Sequence, residues 1–93
     1  MKIGRVIGSI WATRKEERLN GLKLLLVQPL HVVDQRGIGA PIVAADIIGA
    51  GVGEDVIIVG GSSARGAAGA MDIPVDATVV GIIDDQEVDC SGF

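Results

Sequence analysis

Residues 49 to 65 read Gly-Ala-Gly-Val-Gly-Glu-Asp-Val-Ile-Ile-Val-Gly-Gly-Ser-Ser-Ala-Arg, which is the composition of a phosphate-cradling loop. The order is wrong for that chemistry. A dinucleotide fingerprint needs its glycines after a strand and at a helix start, where free backbone amides face the pyrophosphate. Here the glycines precede the apolar run Asp55 to Val59, and Glu54 stands where the last glycine of Gly-x-Gly-x-x-Gly belongs. Gly61 and Gly66 have the spacing of a nucleotide-triphosphate loop, but Ala67 and Ala68 occupy the positions that need Lys and Ser or Thr. No cofactor is expected.

The remaining candidates for chemistry are single residues without partners. Gly60-Gly61-Ser62-Ser63-Ala64 comes nearest to a nucleophile elbow, yet Ala64 replaces the closing glycine, and Ser62 reads better as the cap of a short helix. His31 is the only histidine and has no cysteine or clear carboxylate at a useful spacing, so it reads as a surface residue after a strand. Asp84, Asp85, Glu87 and Asp89 lack the calcium-loop pattern and its glycine. Cys90, the only cysteine, lies among acidic residues that raise a thiol pKa. The chain is therefore read as having no catalytic and no metal-binding residues. Arg65 is different: a lone arginine in a run of small residues can reach across an interface and hold a carboxylate or backbone carbonyls in its fork, with Glu54 as a possible partner.

Composition sets the frame for that idea. At 93 residues the chain is one domain, and a domain of this size hides only about 60–65% of its unfolded surface. It is nevertheless 48% hydrophobic, with a mean hydropathy of +0.48. So much apolar side chain on so small a body must leave some facing outward, which in a soluble protein points to a permanent partner surface and an oligomer. A single cysteine excludes an internal disulfide and fits a reducing cytoplasm. Nothing reads as a targeting segment, and no apolar run approaches the roughly 18 residues of a membrane helix, so no membrane partner is expected. A net charge of -4 works against nucleic acid, and two aromatic residues, Trp11 and Phe93, make no stacking platform for bases.

The elements that must position these residues are short. Ile3 to Thr13 is β-rich, with Gly4 and Gly8 where a strand bends sharply or lets another backbone approach. The charged stretch Arg14 to Asn20 ends in Asn20-Gly21, a strong hairpin-turn signal, so Leu22 to Val27 forms the second arm, closed by Pro29. Asp34 to Pro41 is turn chemistry, followed by a third strand over Ile42 to Asp46 and a fourth over Asp55 to Val59. Ser62 caps a helix of about two turns over Ser63 to Ala70. The fifth strand runs from Pro74 to Asp84, with Val75, Ala77, Val79 and Gly81 on one side and Asp76, Thr78, Val80 and Ile82 on the other. Both sides are mostly apolar, so one belongs to the core and the other to a neighbour. Five short strands, glycine turns and one small helix indicate a mainly β fold, a partly closed antiparallel OB-like barrel over residues 1–84 with an acidic tail at 85–93.

Laid out in order, the blocks Ile3 to Gly8, Ala12-Thr13, Gly21 to Leu30, Asp46 to Val56, Gly61 to Arg65 and Pro74 to Asp84 resemble the EutN/CcmL family of bacterial microcompartment vertex proteins along nearly the whole chain. The resemblance implies an OB-like barrel assembled as a homopentamer, which occupies the corners of a polyhedral shell around metabolic enzymes, beside hexameric shell proteins, without catalysis. A flat sheet of hexagons cannot close, so pentagons must supply curvature through wedge-shaped subunits in head-to-tail contact. On this reading Gly49, Gly51, Gly53 and Glu54 with Gly61, Ser62, Ser63 and Arg65 shape the subunit contact, Arg65 being its polar anchor. Thr78 and Val80 then form an outer face covered only in the assembly. Two other readings are distinguishable by measurement: an OB-type module binding a nucleotide or single-stranded nucleic acid, and a small hydrolase using Ser62 or His31.

Overall fold

Runs of Val, Ile, Leu and Ala broken by glycine turns are too short for helices and branched enough at Cβ to favour pleated strands. In the computed structural model, which describes residues 1–11, 22–69 and 75–84, they form β1 (Lys2–Ile10), β2 (Lys23–Leu30), β3 (Ile42–Asp46), β4 (Asp55–Gly60), α1 (Gly61–Ala68) and β5 (Ala77–Ile83). The strands close into a barrel in the order β1-β2-β3-β5-β4. The Asn20-Gly21 turn, Ala70, Pro74 and the tail with Cys90 lie outside the described residues.

One side chain from each alternate strand position fills the barrel: Val6, Leu25, Val27, Ala44, Val56, Ile58 and Val79 form one buried cluster, with Ile42 and Ile82 packed against it. The space is tight enough that β1 needs a glycine. A Cβ at Gly4 would lie 2.6 Å from Val27 Cγ1 and 3.0 Å from the Gln28 carbonyl oxygen, so the expected close approach is real. Gly8 marks the expected bend: the β1–β2 register slips between Val6 and Gly8, leaving Ile7 as the extra residue.

Four expectations change. The barrel is closed, not partly open, and β3 pairs with β5 in parallel, because β5 returns beside β3 only after β4 and α1 have reversed the chain. Pro29 does not close β2, which runs on to Leu30. Its carbonyl accepts from the Ile38 N–H at 2.8 Å, so its nitrogen faces the same way, beyond the start of β3, and β1 loses no ladder bond. Ser62 is not a cap. Gly60 ends β4 in extended backbone and is itself the N-cap, the Gly61 N–H donates to the Asp76 carbonyl at 3.1 Å, and no side chain caps α1. Finally, β5 starts at Ala77, and its faces switch: Ile57 pairs with Gly81 but Ile58 with Val79, so Val80 is extra and Ile82 turns into the core.

Candidate interaction surfaces

The glycine loop between β3 and β4 is stitched down by Asp46, a nearly buried carboxylate at the end of β3. It accepts from the Ile48 N–H (2.9 Å), the Gly49 N–H (3.1 and 3.2 Å to its two oxygens) and the Ala50 N–H (2.9 Å). Aspartate is suited to this because its short side chain reaches amides two to four residues on. Lys23, which pairs with Asp46 across β2 and β3, donates through Nζ to the Ala50 carbonyl at 3.1 Å. Glu54 accepts from the Gly51 N–H at 2.7 Å, and the loop closes onto β1 through Gly53 N–H to Val6 carbonyl and Val6 N–H to Glu54 carbonyl. Gly49 and Gly53 take φ values of +95° and +93°, which other residues adopt only with strain. The result is a fixed loop that turns Ile48 and Val52 outward.

The helix segment makes a second surface. α1 packs on the outside of β4 and β5, with Ala64 buried and Thr78 donating through Oγ1 to the Ala64 carbonyl at 2.7 Å. Gly61, Ser62, Ser63 and Gly66 face outward and Arg65 is half-buried, in no ion pair among the described residues. The structure thus gathers Gly49, Gly51, Gly53 and Glu54 in one loop and Gly61, Ser62, Ser63 and Arg65 on one helix. It does not pair Glu54 with Arg65, since the Glu54 carboxylate serves its own loop. The expectation that the outer face of the fifth strand waits for a neighbour is corrected at Thr78, which its own helix covers completely; Val80 is half-buried.

On the other side of the barrel the outer face of the strands is partly exposed. Across the outside of β1, β2 and β3 the pairing aligns Gly8, Leu26 and Val43 in one row, with the bulged Ile7 beside it, and Ile10, Leu24 and Ala45 in the next, where Ala45, paired with Thr78 of β5, is buried. Val43 is 47% exposed and Ile7 44% exposed. Charge lies only at the margin. Arg5 forms a two-pronged pair with Asp55 of β4, Nε to Oδ1 at 2.8 Å and Nη2 to Oδ2 at 3.3 Å. Hydrogen bonding to Asp55 and then its charge hold the Arg5 pKa above the ordinary value. Sequence reasoning missed this pair, as it missed Asp46 and Lys23. An aspartate just before a glycine loop was the available signal for the last two; nothing in sequence joins residues 5 and 55.

At the barrel end away from the glycine loop, Ile3, Leu30, Val32, Ile38 and Ile42 line an open groove of about 520 Å³ with the exposed His31 at its rim. The His31 backbone closes the Asp34 turn, with its N–H on the Arg36 carbonyl at 2.7 Å. Among the described residues no three metal-ligating side chains gather, and no helix is long and apolar enough to cross a membrane. What the arrangement offers is apolar area and shaped backbone.

The comparisons agree with that character. The family model for the ethanolamine utilisation protein EutN/carboxysome group matches residues 1–84. The carboxysome shell vertex protein CcmL of Gloeobacter violaceus is 46% identical over 91 residues, covering 96% of this chain and 88% of the relative. The microcompartment shell vertex protein PduN of Salmonella typhimurium is 42% identical, covering 90% of this chain and 96% of the relative. Among solved structures, the pentameric microcompartment shell protein GrpN of Rhodospirillum rubrum superposes with a TM-score of 0.85 at 43% identity, over 96% of this chain and all of that one (100%).

Proposed function

The chain belongs to the EutN/CcmL family, and from that premise we propose that it forms a homopentamer capping a vertex of a bacterial microcompartment shell in the cell interior, a structural role without catalysis. The observation that carries this reading is a family match over residues 1–84 in a barrel whose outer face on β1, β2 and β3 is mostly apolar and leaves Ile7 and Val43 exposed. Residues 1–84 are the vertex domain and 85–93 its acidic tail. At its five edges the pentamer meets hexameric shell proteins, since a fivefold unit supplies curvature only when set among sixfold ones.

Within the pentamer, the loop Gly49 to Glu54 and the segment Gly61 to Arg65 shape the subunit contact, with Arg65 as its polar anchor and Val80 beside it. Support comes from the rigidity of the loop, whose amides are held by Asp46 and Glu54, and from the absence of an ion pair on Arg65 among the described residues. A preformed loop gives up little conformational freedom on association. The test is native mass measurement on Arg65→Ala and Gly51→Val. Weakened or lost pentamers in either variant are expected, and rings unchanged in both would remove these residues from the contact.

A further inference from the structure

We infer that the open groove beside His31 is the seat for this chain's own acidic segment, residues 85–93, with Phe93 as its apolar anchor. The inference goes beyond the vertex reading and does not need it, since the family match ends at residue 84 and gives the segment no role.

The groove has the build of a binding site. Ile3, Leu30 and Ile42 line it as half-buried or buried side chains, and Val32 and Ile38 stand at its edge, 58% and 43% exposed. Its edge is fixed in advance: the Gln28 side-chain amide donates to the Ile38 carbonyl at 3.3 Å and to the Gly39 carbonyl at 3.2 Å. A preformed groove gives up little freedom when it is filled. Among the described residues, the ionisable side chains that line it are Lys2 and His31, both exposed and neither in an ion pair. Each can donate to a carboxylate, and no carboxylate lines the groove. Asp34, the nearest acid in sequence, is taken up by its own turn, where it accepts from the Arg36 N–H at 3.1 Å.

The segment has the complementary character. It reads Asp-Gln-Glu-Val-Asp-Cys-Ser-Gly-Phe, with three carboxylates, no cation and one aromatic ring. It also has the reach. Ile83 of β5 pairs with Asp55 of β4, which pairs with Arg5 of β1, two residues from Ile3. That is about 10 Å across two strand spacings and about 7 Å along β1, whereas nine residues span up to about 30 Å. The route is apolar: Gly81, Ile57, Ile3 and Leu30 align in one row across the outside of β5, β4, β1 and β2. At the other barrel end the exposed Ile47, Ile48 and Val52 share their loop with Glu54, a like charge that repels the segment. Tethered to the same body, the segment meets the groove at an effective concentration of about a millimolar, so one buried ring and a charged rim suffice to hold it.

The experiment uses the whole chain. Phe93 is its only phenylalanine, so labelling that ring together with isoleucine and leucine methyls gives a single reporter for nuclear magnetic resonance. Overhauser contacts are expected from the Phe93 ring to the Ile3, Leu30 and Ile38 methyls, and none to Ile47 or Ile48. In a sample co-refolded from ring-labelled and methyl-labelled chains the contacts are expected to vanish, because both ends belong to one chain. The ring-current shifts of the three methyls should be lost in Phe93→Ala and in the rim variant Lys2→Glu/His31→Glu, with the Ile47 and Ile48 methyls unmoved. All three substituted positions lie outside the core, and the amide spectrum confirms folding. Contacts to Ile47 or Ile48, contacts to no methyl, contacts that persist between chains in the mixed sample, or shifts unchanged in the rim variant would each overturn the inference.

Discussion

The β4–β5 side and the β1–β2–β3 side of the barrel are built from the same kinds of residue and finished differently. On the first, α1 folds back over the strands, buries Thr78 and Ala64, and satisfies the Thr78 hydroxyl. On the second, Leu26, Val43 and Ile7 face outward with no described element above them. One chain thus covers the β4–β5 side of its barrel with its own helix and leaves Ile7 and Val43 on the other side exposed. The difference predicts that buried residues such as Thr78 matter to the fold of the lone chain and that Ile7 and Val43 matter to it little.

That separation can be broken by substitutions graded in effect. The largest is expected at Thr78→Lys: an ammonium on a wholly buried site beneath α1 should cost more than about 4 kcal/mol and leave no folded chain, read by chemical denaturation. A folded, soluble Thr78→Lys protein would mean that α1 does not cover this wall. Asp46→Ala removes the acceptor of three loop amides and should cost about 2–4 kcal/mol, with faster hydrogen exchange confined to Ile48, Gly49 and Ala50 and their neighbours as the specific sign. Gly4→Ala, which forces a Cβ against Val27 and the Gln28 backbone, should cost about 1–3 kcal/mol in the same titration. Val43→Lys should change the stability of the folded monomer by no more than about 0.5 kcal/mol while abolishing the concentration dependence of the melting temperature that an assembly confers. Arg5→Ala, at an exposed ion pair, should leave the denaturation midpoint unmoved.

How much of this was legible in the sequence depends on the range of the interaction. Ile42 to Asp46 and Asp55 to Val59 are read correctly as strands because flanking turn residues bound short β-branched runs, and Gly4 and Gly8 are read correctly because each glycine answers a local need. Alternation alone misassigns Ile82, since the bulge at Val80 is set by the β4 partner and not by β5 itself. Pro29 looks like a terminator until the direction of its missing donor is known. Ser62 looks like a cap until β4 is seen to run straight into α1. At the candidate contact, the glycines and Arg65 stand out by composition. Lys23 with Ala50 and Arg5 with Asp55 are invisible, because each pair meets only once the barrel has closed.

The central claim is that the uncovered wall is satisfied only by identical copies arranged in fives. Native mass spectrometry of the purified, unmodified chain in dilute buffer tests it most directly. The account predicts a dominant species at five times the 9.5 kDa chain mass, giving way to monomer when Ile7 and Val43 are both changed to lysine. A stable species at the single-chain mass, with β structure intact, would contradict it.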